Sequence, residues 1–394
     1  MDPRKNPYAP GAGTLPPELA GRDEIIEKAE IALDRFRAGR SARSLLFVGL
    51  RGVGKTVLLT RIAQQSEARG FVVLSIEAPE KHSLPALLIP SLRTALLKLD
   101  RIAATGDLAK KALRALGGFV NAMKVKYKDI EFGVDLGSES GVADSGDLEH
   151  DLIDLFTEIG RAAKEKKTAF VLFIDELQYV EEDQFASLIT ALHKCSQLQL
   201  PVALIGAGLP QLVGRAGRAK SYAERLFEYP EIGPLSDAEA RKALVAPAEK
   251  ENVQFEEHAL REILKQTQAY PYFLQEWGKH SWACADASPI SGEDASNATA
   301  LAISELDASF FRVRFDRLTP AEKRYLRAMA ELGPGPHKSG DIAQLLGKKV
   351  QSFGPTRATL IAKGMIYSLS HGDNSFTVPL FDGFMKRVMN EWRT

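Results

Sequence analysis

Apolar positions follow two rhythms along this chain. Short unbroken runs occur at Leu45-Leu46-Phe47-Val48, at Phe71-Val72-Val73-Leu74-Ser75-Ile76, at Ala169-Phe170-Val171-Leu172-Phe173-Ile174 and at Val202-Ala203-Leu204-Ile205. Such runs predict strands buried on both faces, as in a parallel sheet. Between them apolar residues recur near helical spacing. Ile25, Ile26, Ala29, Leu33 and Phe36 predict a helix over 23–38, and 56–69 and 147–166 read the same way. Buried strands alternating with helices predict an α/β domain with a mostly parallel sheet. Residues 1–20, rich in Pro, Gly and Ala, predict an extended arm. The region 83–146 is less regular: an apolar helix near 84–99, then residues 125–134 alternating like a half-exposed strand or hairpin. It is expected to form an insertion over about 100–146. Helices dominate from 234 to about 287, and the small, Ser-rich stretch 287–300 reads as a linker. The expected layout is an arm (1–20), an α/β core (21–233), a helical region with linker (234–300) and a C-terminal module (310–394).

The last module has its own punctuation. Thr319, Pro320 and Glu322 mark a helix start, with Thr as cap and Pro at the first position, and the helix stops at Gly333-Pro334. A second short helix is predicted over 339–347 and a third over 349–363, closed by Gly364. Phe353-Gly354-Pro355 is expected to delay or kink that third helix. Residues 365–369 and 376–378, around a turn at 371–374, predict a hairpin.

With 394 residues, 45% apolar and 26% charged, the chain is long enough for two to three domains and excludes disordered and collagen-like classes. Two cysteines, Cys195 and Cys284, lack metal-ligand spacing and fit a reducing compartment. No run approaches ~18 apolar residues, so no membrane span is expected. The N-terminus lacks the apolar core of a signal peptide, which predicts a cytoplasmic protein. Basic and acidic residues number 51 each, but residues 310–394 hold eight Arg and six Lys against seven acids, a net of +7. A basic module behind an acidic body suggests a polyanionic partner.

Chemistry concentrates at Gly49-Leu50-Arg51-Gly52-Val53-Gly54-Lys55-Thr56, which fits G-x-x-x-x-G-K-[ST] between a predicted strand and the helix predicted over 56–69, with Gly49, Arg51, Gly52, Val53, Gly54, Lys55, Thr56 and Val57 as expected nucleotide contacts. Its glycines let backbone N–H groups curl around phosphate oxygens, with the helix's positive end aimed at the same anion. Lys55 would reach the β and γ phosphates and Thr56 would hold Mg²⁺. The third strand ends at Asp175-Glu176, on the ligand edge of a parallel sheet. Asp175 suits Mg²⁺ and Glu176 suits polarising the attacking water. No Asn-Lys-x-Asp guanine motif appears, so ATP is the expected nucleotide.

These residues carry a resemblance. Leu19-Ala20-Gly21-Arg22-Asp23-Glu24 resembles the Gly-Arg-Glu box of AAA+ ATPases of the origin-recognition type. Ile174-Asp175-Glu176-Leu177-Gln178 is similar to the Walker B of archaeal and bacterial relatives. Ala223-Glu224-Arg225-Leu226-Phe227, followed by 231–236, looks like their Ser-Arg-Phe box and lid entrance. The resemblance implies an ASCE-type P-loop AAA+ sheet with a helical lid, and Gly21 and Arg22 beside the adenine. It also implies that Arg225 is an arginine finger acting in trans through self-association, with Arg215 and Arg218 as nearby substitutes. The fourth strand ends Leu204-Ile205-Gly206-Ala207-Gly208, without a sensor 1 Asn, Thr or Ser. Residues 269–274 are closer to the Gly-x-Pro motif of STAND-type and archaeal ATPases than to a sensor 2 arginine, placing Pro271 against the nucleotide. Lacking both sensors, a slow switch fits as well as a motor.

Three helices and a hairpin resemble a winged helix, whose third helix enters the major groove of double-stranded DNA. That implies DNA contact by Lys348, Lys349, Gln351, Ser352, Thr356 and Arg357, with His371 and Asn374 on the wing. The expected function is an ATP/ADP switch coupled to DNA binding. The alternative is a STAND-like signalling or defence ATPase whose winged helix docks protein. The seven histidines show no ligand spacing; His193 and His280 read as core or surface residues. Trp277, Trp282 and Phe310-Phe311 read as packing residues.

Overall fold

The computed structural model describes residues 1–394 other than 12, 79–81, 102–106, 131–136, 139, 369, 371 and 392–394. After the arm come α1 (Asp23–Arg37), β1 (Ser44–Val48), α2 (Lys55–Ala68), β2 (Val72–Glu77), α3 (Leu84–Arg101), α4 (Asp107–Lys126) and α5 (Leu148–Glu165). Then follow β3 (Phe170–Asp175), α6 (Glu182–Gln197), β4 (Val202–Gly208), α7 (Leu212–Ala219), α8 (Ala223–Leu226) and β5 (Phe227–Glu228). The five strands form one parallel sheet in the order β2-β3-β4-β1-β5.

At β1, β3 and β4 the apolar runs are explained by burial on both sides, whereas β2, at the edge of the sheet, is buried at Val72 and Leu74 and exposed at Ser75, a correction to the expected burial on both faces. Alternate residues of one strand feed two different cores. Leu46, Leu172 and Leu204 pack under α3–α6, while Leu45, Phe47, Val171 and Phe173 pack under α1 and α2. The four expected strands are present; β5, only two residues long, carries no readable pattern.

Helices α9 (Asp237–Lys250), α10 (Glu257–Thr267), α11 (Pro271–Cys284), α12 (Gly292–Ala308) and α13 (Arg312–Asp316) follow. The expected linker at 287–300 is therefore corrected: from Gly292 it is helix, started by a capping box between Ser291 and Asp294. Its buried face, Ala295, Ala298, Ala302 and Leu306, is built mostly from alanine, too small to read as an apolar stripe. The predicted strand or hairpin at 125–134 is corrected in part: Val125 and Lys126 end α4, and 131–134 lie outside the described residues.

The C-terminal elements are α14 (Pro320–Glu331), β6 (His337–Lys338), α15 (Ser339–Leu345), α16 (Gly354–Ala362), β7 (Ile366–Tyr367), β8 (Asp373–Phe376) and α17 (Phe381–Val388). Thr319 and Glu322 form the expected capping box. A 3-10 turn at Val350–Phe353 precedes α16, as Pro355 required. The strands pair antiparallel in the order β6-β8-β7. Phe311, Phe315, Phe381 and Phe384 share one core with Trp277 and Leu306, so these elements are continuous with the helical region. The arm packs on that region too: Tyr8 is buried, its hydroxyl bonds the Leu244 carbonyl, and its ring lies where a side chain at Gly278 would stand. Trp277 and Trp282 are buried packing residues, as expected. Among the described residues no helix is long and apolar enough to cross a membrane.

Candidate nucleotide site

The loop between β1 and α2 opens at the carboxyl edge of the sheet. A Cβ at Gly49 would stand 2.1 Å from the Ile232 carbonyl oxygen, so the chain passes there only as glycine. Gly54, at φ 89°, turns the backbone into α2 and has open space where a side chain would point. The buried Lys55 ammonium donates to the carbonyls of Gly49 (2.9 Å) and Leu50 (2.8 Å). Burial pushes its pKa down to about 8, against the pull of Glu176 and Asp175.

Across the loop, the Thr56 hydroxyl donates to Asp175 Oδ2 at 2.5 Å. Asp175 ends β3 with 6% exposure, and burial raises its pKa in spite of that bond. Glu176 follows in the left-handed region at φ 53°, a conformation costing on the order of 1 kcal/mol or more, of the kind concentrated at functional sites. Its carboxylate lies 3.5 Å from the Arg51 guanidinium and accepts from the Gln178 amide. Gln178 also accepts from the Leu209 N–H just past β4. The amide therefore joins Glu176 to the end of β4. A larger residue at Gly206 would have to displace the Leu177 and Leu46 side chains, since its Cβ would stand 2.2 Å from Leu177.

A cavity of about 660 Å³ sits over these groups. Arg51, Gly52, Val53, Gly54, Lys55, Thr56 and Val57 line its floor, with Arg22, Glu77, Glu176 and Pro271 around them. Of the expected nucleotide-binding residues, Gly21 and Gly49 lie outside the lining. Arg22 donates to the carbonyls of Val53 (3.1 Å) and Gly233 (2.7 Å), so it also props the loop. Arg225 is exposed on α8, away from the cavity, with no side-chain partner among the described residues. Its two substitutes differ from it: Arg215 is bonded to the carbonyls of Gln178 and Val180, and Arg218 pairs with Glu182 at 3.7 Å.

Arg314, Tyr272 and Phe310 complete the cavity wall and were missed in the sequence. The Tyr272 and Phe310 rings stack at 4.7 Å, so Phe310 is a wall residue as well as a packing one. The Arg314 guanidinium lies 4.0 Å over the Phe310 ring. Burial, with Arg51 beside it, pushes its pKa down to about 10. Its only sequence signal is the four-residue offset from Phe310. A second tie runs from the loop to the C-terminal elements: the Arg51 N–H donates to the Thr377 carbonyl at 3.0 Å.

Lys348, Lys349, Gln351 and Ser352 are exposed side by side, and neither lysine has an ion pair among the described residues. Thr356 is half-buried. Arg357 is turned inward: it donates to Asn374 Oδ1 (2.8 Å) and to the Asp373 carbonyl (3.0 Å), fastening α16 to β8. The expectation of Asn374 on an exposed wing is corrected, since its amide is fully buried and bonded to His337, Ser339 and Gly372. His371 lies outside the described residues.

Residues 18–205 match the AAA ATPase domain family. The Walker-type ATPase PABY2304 of Pyrococcus abyssi superposes with a TM-score of 0.59 at 17% identity, over 93% of this chain and 96% of that one. The fold is that of an AAA+ P-loop ATPase. Weaker superpositions were found with Cdc6p from Pyrobaculum aerophilum (12% identity, 99% and 98% covered, TM-score 0.48) and with the RuvB Holliday junction branch migration motor of Thermotoga maritima (15%, 97% and 99%, 0.44). No curated protein matches the sequence. Residues 308–385 match a domain of unknown function, DUF8462.

Proposed function

We propose that this chain binds ATP with Mg²⁺, hydrolyses it, and uses the nucleotide state to set the C-terminal elements. The observation that carries the reading is Lys55, Thr56, Asp175 and Glu176 gathered at one sheet edge beneath a cavity. Two further features suit a polyanion. Lys55 and Arg314 are cations held out of water around that cavity, and neither has a carboxylate within ion-pair distance among the described residues. Lys55 would hold the phosphates, with Thr56 and Asp175 as the Mg²⁺-holding pair. The bound ion would supply positive charge to the phosphate oxygens. Glu176, oriented by Gln178 and Arg51, would hold the attacking water and take its proton. Arg225 is free to reach the site of a second copy.

Two routes connect the site to the C-terminal elements: Arg51 to Thr377 through the backbone, and the rings of Tyr272, Phe310, Phe311 and Phe384 through the core. We assign those elements a winged-helix role on double-stranded DNA, with Lys348, Lys349, Gln351 and Ser352 as the contact edge and Thr356 and Arg357 as its support. One observation favours the alternative of protein docking. Several of the fourteen basic side chains in 310–394 are held in ion pairs, among them Lys338–Asp373 (2.6 Å), Lys363–Glu322 (2.7 Å) and Arg387–Asp307 (2.7 Å).

The test is duplex-DNA binding titrated against salt, with ATP and with ADP. Replacing Lys348 and Lys349 by Ala should flatten the log K against log salt plot by up to ~1.8, about 0.9 per phosphate contact. Lys55→Ala should abolish ATP binding and its effect on DNA. No salt-sensitive DNA binding in either nucleotide state would leave the protein-docking reading. Unchanged ATP affinity in Lys55→Ala would remove the nucleotide reading itself.

A further inference from the structure

Glu276 and His280 lie one turn apart on the same face of α11, and Glu305 meets them from α12. One ligand atom from each lies within 4.8 Å of the other two. His280 Nε2 is 3.0 Å from Glu305 Oε2 and 3.9 Å from Glu276 Oε2. Glu276 is only 3% exposed, and its Oε2 is buried without a hydrogen-bond partner, with Lys279 Nζ 3.8 Å away. A buried carboxylate oxygen with no hydrogen bond is costly, and a bound water or ion is what accounts for such a group.

We propose that Glu276, His280 and Glu305 form a binding site for a divalent transition ion of the zinc or manganese class. One imidazole nitrogen and two carboxylate oxygens are a ligand set such ions favour. Bonds of about 2.0–2.1 Å at tetrahedral angles place ligand atoms about 3.3 Å apart, within the spread of the two distances above.

Lys279 is the competing cation, 2.8 Å from Glu305 Oε1 and 3.8 Å from Glu276 Oε2. Its side chain is 34% exposed, so it can swing into solvent as an ion enters. The site differs in residues and elements from the Thr56–Asp175 pair. It lies one helical turn beyond Tyr272, and an ion there would pin α11 to α12 behind the cavity wall.

The full chain, stripped by chelation and free of nucleotide, would be titrated with Co²⁺ followed by absorbance, and with Zn²⁺ by calorimetry. One equivalent should bind, with a visible cobalt band. His280→Ala and the conservative Glu305→Gln should each weaken binding by at least about tenfold. Lys279→Ala should tighten it, whereas in a plain ion-pair network that change would only lower Tm. Asp175→Asn should leave the cobalt band intact. Absence of a stoichiometric ion, or binding that responds to Asp175→Asn and not to His280→Ala or Glu305→Gln, would overturn the proposal.

Discussion

Replacing Arg314 with Met asks whether a C-terminal cation reads the nucleotide. Burial, with Arg51 beside it, pushes the Arg314 pKa well below the usual guanidinium range, down to about 10. One pKa unit corresponds to about 1.4 kcal/mol, so holding that charge in the cavity wall costs on the order of 3 kcal/mol. Among the described residues no carboxylate pairs with it directly, and Glu176 offsets the cost only from a distance; its near contacts are the Phe310 ring and the Phe310 carbonyl. A bond to a charged phosphate oxygen contributes about 1.5–3 kcal/mol, so its loss should weaken ATP by about 10- to 150-fold. Met keeps an apolar stem against Phe310, so the empty protein should hold or gain Tm. The assay is competition of ATP and of ADP against a fluorescent nucleotide, beside thermal melts without nucleotide. A contact to the terminal phosphate predicts a much smaller loss for ADP. Unchanged ATP affinity with a lowered Tm would refute the reasoning, because Arg314 would then merely hold Phe310 in place.

The other predictions concern the site itself. Glu176→Gln should bind ATP normally and hydrolyse it at least about 10²-fold more slowly, read by phosphate release; parental turnover would exclude Glu176 as the base. Arg225→Ala should lose about 10³-fold in turnover with ATP affinity intact, and mixing it with Glu176→Gln protein should restore part of the activity; no rescue at any concentration argues against trans action. Lys55 has a folded pKa of about 8, below its unfolded value, so the unfolded chain binds more protons between about pH 8 and 10.5. The empty fold should therefore gain stability over that window, while ATP affinity falls by up to about tenfold per pH unit above 8. Lys55→Arg should flatten the affinity profile, and an equally steep profile in that variant would assign the titration to another group.

Much of the core was readable because its causes are local. A strand buried on both faces must be apolar at every position, so β1, β3 and β4 announce themselves without their neighbours. The loop at 49–56 needs glycine where the chain grazes Ile232 and where it turns left-handed at Gly54, and those demands show as spacing. Asp175 and Glu176 follow from the end of a run. What escaped depends on partners far along the chain. Helix α12 buries an alanine face that means nothing until α10 and α11 lie against it. The arm has no periodicity, yet Tyr8 is buried because Gly278 leaves room for its ring. Arg357 has the composition of a DNA contact, but a buried amide 17 residues away satisfies it better than solvent. Arg314 enters the cavity, and Glu305 meets His280, only once the helices of the C-terminal half have docked. Backbone demands act over a few residues and so leave a pattern in the sequence. The choice of partner for a charged or amide side chain is made by packing between distant segments, and only the folded arrangement contains it.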